Sequence, residues 1–266
     1  MRNYLTKPSP AYAITKKELL MLKDLFPQHK QRIQEIALER YPEECVIVIT
    51  KDKGLYELNN ISKDPENSFS ISRKDTEKVF DEVLLAVIHS HPDAEPVPSS
   101  ADMTYQRQCN IPFGIVATDG SRVSEVVYFG DQVEYDLEKR PFIHSVCDCY
   151  SLIRDFYKEK LNINLPEFER DWEWWNSGED MYLDNLKSTG FYQVDEPQYG
   201  DMVIACVRSK VPNHAGVYVD NEMIFHHISG GLAIDTTRLP RKEPIQRLFK
   251  FIHSYWRYGD IKNENI

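Results

Sequence analysis

No stretch of this 266-residue sequence holds enough consecutive apolar residues to cross a bilayer. Nor does it carry an N-terminal leader of secretory type: Met1 to Pro10 is polar and broken by Pro8 and Pro10. The expectation is a chain made in a cytosol that stays soluble. Cysteine is scarce. Five residues, Cys45, Cys109, Cys147, Cys149 and Cys206, are an odd number spread too thinly for a disulfide framework. The pair at Cys147 and Cys149 would begin a zinc knuckle, but no second close pair completes one. Basic runs interleaved with aromatics are also missing. With a net charge of -10, that argues against a partner made of nucleic acid. There is no internal repeat and no low-complexity segment.

What is present is ordinary globular material. Apolar residues make up 41% and charged residues 28%, enough for two domains that each bury a core. Thr15 to Glu18 reads as a capping box opening a helix through about Leu25. A second helix follows Pro27, with Ile33, Ile36, Ala37 and Tyr41 on its buried face, and Pro42 ends it. Glu44 to Thr50 is an apolar, β-branched run and reads as a central strand, with Leu55 to Leu58 pairing back on it. Helical spacing covers Arg73 to Asp81, a buried strand covers Val83 to Ser90, and Ser99 or Ser100 caps a helix to about Gln108. Phe113 to Thr118 and Val123 to Phe129 form a hairpin about Asp119-Gly120. This first, α/β half spans 1–132. A charged, aperiodic connection over Asp131 to Pro141 leads to the second half, 133–266. There Asp148 caps a helix to about Leu161, and strands run over Met202 to Val207, Ala215 to Val219 and Met223 to His227, an α+β pattern. Trp172, Trp174 and Trp175 read as core of this half rather than as a sugar platform.

Two groups of residues carry chemistry. His89 and His91 lie two apart on a strand and therefore share a face. Asp102 follows after a short loop. Two imidazoles and one carboxylate occupy three corners of a tetrahedron and leave the fourth to water, the arrangement of a catalytic Zn2+ site. Ser99, one helical turn before Asp102, is placed to hydrogen-bond a tetrahedral oxyanion. Glu44, at the start of the central strand, is the carboxylate placed to act as base, with Glu43 as the alternative. The second group begins with Cys149, in the first helical turn after Asp148, where the helix dipole lowers a thiol pKa. Folding the strands about Asp220-Asn221 sets His214 and His226 nearly opposite each other, and His227 on the other face. His214 is then the base and His226 its orienting partner. Ala215 and Gly216 leave room beside the base for substrate.

The pattern His89-Ser90-His91, seven residues, then Ser99-x-x-Asp102, with an upstream Glu44 after Pro42, resembles the JAMM motif of JAB/MPN metalloproteases. The resemblance implies a cytidine-deaminase-like α/β fold and a zinc peptidase or isopeptidase activity. Asp148-Cys149 at a helix start, His214-x-Gly216-Val-Tyr-Val and His226 twelve residues later resemble the NlpC/P60 family. Gly200-Asp201 before a strand fits the same family. That resemblance implies a papain-like fold and an endopeptidase cutting peptidoglycan stem peptides. Tyr150-Ser151 stands where the family has Ser-Gly, and Phe142, which lacks a hydroxyl, stands where it often has tyrosine. The two domains in this order resemble the tail tip assembly family of lambda-like phages. So do Asp148-Cys149-Tyr150-x-Leu152-x-Arg154-Asp155, Tyr182 to Leu186 and Val211 to Ala215. The implied partners are phage tail tip proteins and peptidoglycan. The implied places of action are the host cytoplasm during assembly, then the virion tail tip and the host periplasm on entry. The competing reading is a tail assembly chaperone or scaffold with one or both sites inert.

Overall fold

A computed structural model describes residues 24–79, 81–178 and 180–259. The capping box at Thr15 to Glu18 lies outside them. The chain divides into two compact units between Tyr135 and Asp136.

In the first unit the helix after Pro27 is α1 (Lys30–Arg40), with Ile33, Ile36 and Ala37 buried. Strands β1 (Val46–Thr50) and β2 (Gly54–Leu58) form the expected antiparallel pair. Helix α2 is Arg73–Lys78, capped by Ser72. Strand β3 (Leu84–Pro92) runs past Ser90, so both histidines lie within it. Helix α3 (Ser100–Cys109) begins on Ser99, and β4 (Phe113–Thr118) and β5 (Val127–Phe129) follow. The sheet order is β2-β1-β3-β4-β5. Only β3 and β4 run parallel, and α3 is the crossover a parallel pair requires.

Sheet parity then sorts the residues. Ile47 pairs with Ile88 and Ile49 with Ala86, and these pack with α1 in one core. Val46 pairs with His89, which puts the two histidines on the opposite face, at the carboxyl end of a parallel strand. Such strand ends are where α/β sheets hold ligands.

In the second unit a two-residue strand β6 (Phe142–Ile143) precedes α4 (Cys149–Phe156), whose last turn widens to a π-turn at Tyr157–Leu161. Then come α5 (Met181–Leu186), β7 (Phe191–Val194), β8 (Met202–Ala205), β9 (His214–Val219) and β10 (Met223–His226). The chain continues through β11 (Ile234–Asp235), β12 (Arg241–Pro244) and β13 (Ile252–Tyr258). Six strands form one antiparallel sheet in the order β12-β10-β9-β8-β13-β7, and β11 pairs with β6. Helix α4 packs on β9 and β10, and Leu152, Ile153 and Phe156 meet Ala215, Val217 and Phe225 in the main core. Trp174 belongs to that core, while Trp172 and Trp175 are half-buried beside it.

Candidate metal and cysteine centres

The first centre is assembled from β3 and α3. His89 Nε2 lies 3.1 Å from His91 Nε2 and 3.2 Å from Asp102 Oδ1, and His91 Nε2 lies 3.6 Å from Asp102 Oδ2. All three residues are buried. His91 Nδ1 is 3.0 Å from the Glu95 carbonyl. A carbonyl only accepts, so Nδ1 carries the proton and Nε2 turns a lone pair to the centre.

The carboxylate is held as firmly. Asp102 is the third residue of α3 and closes a capping box with Ser99. Its Oδ2 accepts from Ser99 N–H at 2.8 Å and from Ser99 Oγ–H at 2.6 Å. Burial alone would raise the Asp102 carboxyl, but the two imidazoles outweigh it and hold it well below the usual carboxylate range. Zinc ligands at ~2.0–2.1 Å in a tetrahedron stand roughly 3.3 Å from one another. The separations of 3.1 to 3.6 Å are those of such a triad. The donor set fits zinc and leaves one corner open.

Two neighbours complete this face. Ser90 N–H donates to the Cys45 carbonyl at 3.2 Å, which brings Glu44 level with His91 and onto the same face. Glu44 is 2% exposed, whereas Glu43 faces solvent. Phe69 packs against His89 with ring centroids 5.1 Å apart. Ser99 is the N-cap of α3, and its hydroxyl proton is donated to the Asp102 carboxylate.

The second centre lies where α4 meets β9 and β10. Cys149 is the first residue of α4. Its Sγ lies 3.2 Å from Tyr182 Oη and against the N–H of Ala215, the residue after His214. His214 Nε2 is 2.9 Å from His226 Nδ1. The β9–β10 connection has three residues, Asp220, Asn221 and Glu222, since Val219 pairs with Met223. In this register His226 lies on the face of His214, and His227 lies on the other. Gly216 pairs with His226, and a Cβ there would come within 2.8 Å of the His226 Cβ. The space at Gly216 is therefore taken by Ile224 and His226 and not held open for substrate.

The electrostatics also differ from expectation. Part of Cys149 stays accessible, yet burial of the thiol and the neighbouring Asp148 push it up to about 11, against the Tyr182 and Ala215 donors. Burial and the adjacent His226 hold His214 well below its usual range. Cys147 is fully buried next to Arg140 and is pushed up to about 12 by burial.

Sequence reasoning missed Tyr182 as the hydroxyl at this centre, because it is brought there by tertiary contact from α5. It also missed Arg170. This buried guanidinium donates to Asp148 through Nε (2.7 Å) and Nη2 (3.0 Å), and to Glu167 Oε1 through Nη1 (2.6 Å). Asp148 in turn caps α4 by accepting from Ser151 N–H at 2.9 Å. Burial would raise Asp148, but Arg170 outweighs it and holds it far below the carboxylate range.

Arg170→Met should therefore destabilise the second unit by about 3–5 kcal/mol at neutral pH, because it strands a buried carboxylate. All four tryptophans lie in this unit, so urea unfolding followed by tryptophan fluorescence reads it selectively. A depressed native pKa contributes stability above the unfolded value of about 3.9 that is lost as pH falls below it. The variant lacks that contribution, so the gap between the two proteins should narrow in acid.

Comparison with known proteins matches each half of the chain to a family. The family of prokaryotic homologs of the JAB domain matches residues 27–128, and the NlpC/P60 family matches residues 133–252. The chain is a JAB-like domain followed by an NlpC/P60 domain, both from hydrolase families. The tail tip assembly protein K of Escherichia phage lambda is 36% identical over 177 residues, 66% of this chain and 82% of that protein. The protein of the same name from Escherichia phage N15 is 30% identical over 204 residues, 74% of this chain and 83% of that one. The chain belongs to the tail tip assembly protein K family.

Proposed function

We propose that this chain is a tail tip assembly protein with two working peptidase centres. The reading is carried above all by two contacts at neighbouring positions: Cys149 Sγ lies against Tyr182 Oη and the Ala215 N–H, and His214, the residue before Ala215, is paired with His226. His214 Nε2 is engaged with His226, so Nδ1 is the atom left to take the thiol proton. Cys149 Sγ then bonds to an amide carbonyl carbon, and Tyr182 donates to the charge that develops there. The C–N bond breaks as His214 returns the proton to the leaving amine. Water, deprotonated by His214, hydrolyses the thioester and restores the thiol. The substrate is a peptidoglycan stem peptide, met in the host periplasm when the tail tip enters.

In the first domain His89, His91 and Asp102 are the residues that would hold zinc, with Ser99 fixing Asp102. Zinc there supplies Lewis acidity toward a peptide carbonyl. Glu44 accepts a proton from the attacking water and passes it to the leaving amine. This centre trims a tail protein during assembly in the host cytoplasm.

Wild-type protein incubated with purified sacculi should release soluble stem-peptide fragments, read by chromatography and mass spectrometry. Sacculi left intact, beside a positive control hydrolase, would remove the peptidoglycan reading.

A further inference from the structure

The histidine pair does not end at His226. Strand β12 at the sheet edge pairs with β10, with Arg241 opposite His226 and Glu243 opposite Ile224. Glu243 is therefore the diagonal neighbour of His226 on the same face. Its Oε1 approaches His226 Nε2 to 2.8 Å, although off the line of an ideal hydrogen bond. That ring nitrogen is buried and has no other partner among the described residues. Glu243 is 8% exposed and is itself held by Arg241 (3.4 Å) and Arg247 (3.2 Å). Burial would raise its carboxyl, but Arg241, His226 and Arg247 together hold it below the ordinary range, so it is an anion at neutral pH.

The proton between His214 Nε2 and His226 Nδ1 can belong to either ring, and the choice decides whether His214 is a base. If His226 Nδ1 owned it, the neutral His226 would turn a bare Nε2 lone pair toward a carboxylate 2.8 Å away, two acceptors in contact. If His214 Nε2 owns it, His226 carries its proton on Nε2 and points it at Glu243. His214 Nδ1 is then bare, and Cys149 Sγ lies against the N–H of the next residue, Ala215. We propose that Glu243 is a positioning residue of the cysteine centre: it selects the tautomers of both histidines, so that His214 presents an unprotonated Nδ1 to Cys149. The same carboxylate offsets the positive charge that appears on His214 when it takes the thiol proton. The proposal rests on the cysteine peptidase reading, but its central claim concerns proton positions and can be read without turnover.

The test uses full-length protein labelled with 15N-histidine, together with kinetics on a stem-peptide substrate. In wild type, NMR should show His226 as a single Nε2–H tautomer. In Glu243→Ala that preference should be lost, and Glu243→Asp should restore it in part. Arg247→Ala breaks the outer ion pair while leaving the His226 contact, and should change neither the tautomer nor turnover. Glu243→Gln keeps the shape of the side chain and carries the kinetic arm. Its kcat should fall by at least about tenfold with KM unchanged, since a base in the wrong tautomer cannot accept the proton. A His226 that stays Nε2–H in Glu243→Ala would overturn the proposal even if peptidoglycan is cut. A tautomer that shifts in a protein inert toward peptidoglycan would uphold Glu243 and defeat the substrate reading instead.

Discussion

Replacing Cys149 with alanine is expected to bring release of stem-peptide fragments from sacculi down to the no-enzyme background, while His91→Ala releases them at the wild-type rate. The loss should be on the order of 10⁶-fold, because removing a covalent nucleophile removes the route and not a part of its barrier. The two other buried thiols cannot take over. Cys147 sits on the same helix approach but is wholly buried, and Cys45 lies in the core of the other unit. Cys149→Ala should also fold normally. The sulfur's polar contacts are to Tyr182 and the Ala215 N–H, neither of which caps the helix. That task falls to Asp148. Equal digestion by wild type and Cys149→Ala would remove the nucleophile assignment. A loss in His91→Ala as well would assign the activity, at least in part, to the first domain.

Much of this fold is readable in the chain because its central elements are locally consistent. The run Cys-Val-Ile-Val-Ile-Thr at 45–50 has no other plausible use than a buried strand, and β1 is that strand. The candidate metal triad is legible for the same reason: His89, His91 and Asp102 fall within one β-loop-α segment, so local geometry alone brings them together. What the sequence conceals is whatever depends on pairing at a distance. Strands β7 and β12 carry Tyr192, Gln193, Lys242 and Pro244 on exposed positions, so neither shows a clean apolar alternation. Tyr182, Arg170 and Glu243 lie 33, 21 and 94 positions from Cys149, and nothing local marks them as its neighbours. His226 is readable as the partner of His214, but the three-residue connection that sets the register, with both Asn221 and Glu222 at positive φ, is not.

Asp102→Asn should abolish zinc binding at the first centre, from one equivalent in protein purified without chelators to none. The argument is one of charge and of geometry. Two neutral imidazoles and one anionic oxygen make the three-ligand set, and the carboxylate is its only negative member. Asparagine keeps an oxygen and still accepts from the Ser99 N–H, so α3 remains capped and the side chain stays in place. Only the charge is gone. The readout need not involve turnover. A ligand that binds the folded state alone stabilises it by RT ln(1 + [L]/Kd), roughly 2.7 kcal/mol at a hundredfold excess over Kd. Added zinc should therefore raise the unfolding midpoint of the wild-type first unit and leave that of Asp102→Asn where it was. The four tryptophans lie in the second unit, so this transition is best followed by amide hydrogen exchange on β3 and α3. Zinc should slow exchange there in wild type and leave α4 and β9 unaffected. If zinc protects β3 equally in both proteins, Asp102 is not a ligand. If it protects neither, the first domain keeps the arrangement of a metal site without its use, and the peptidase activity of the chain rests on Cys149 alone.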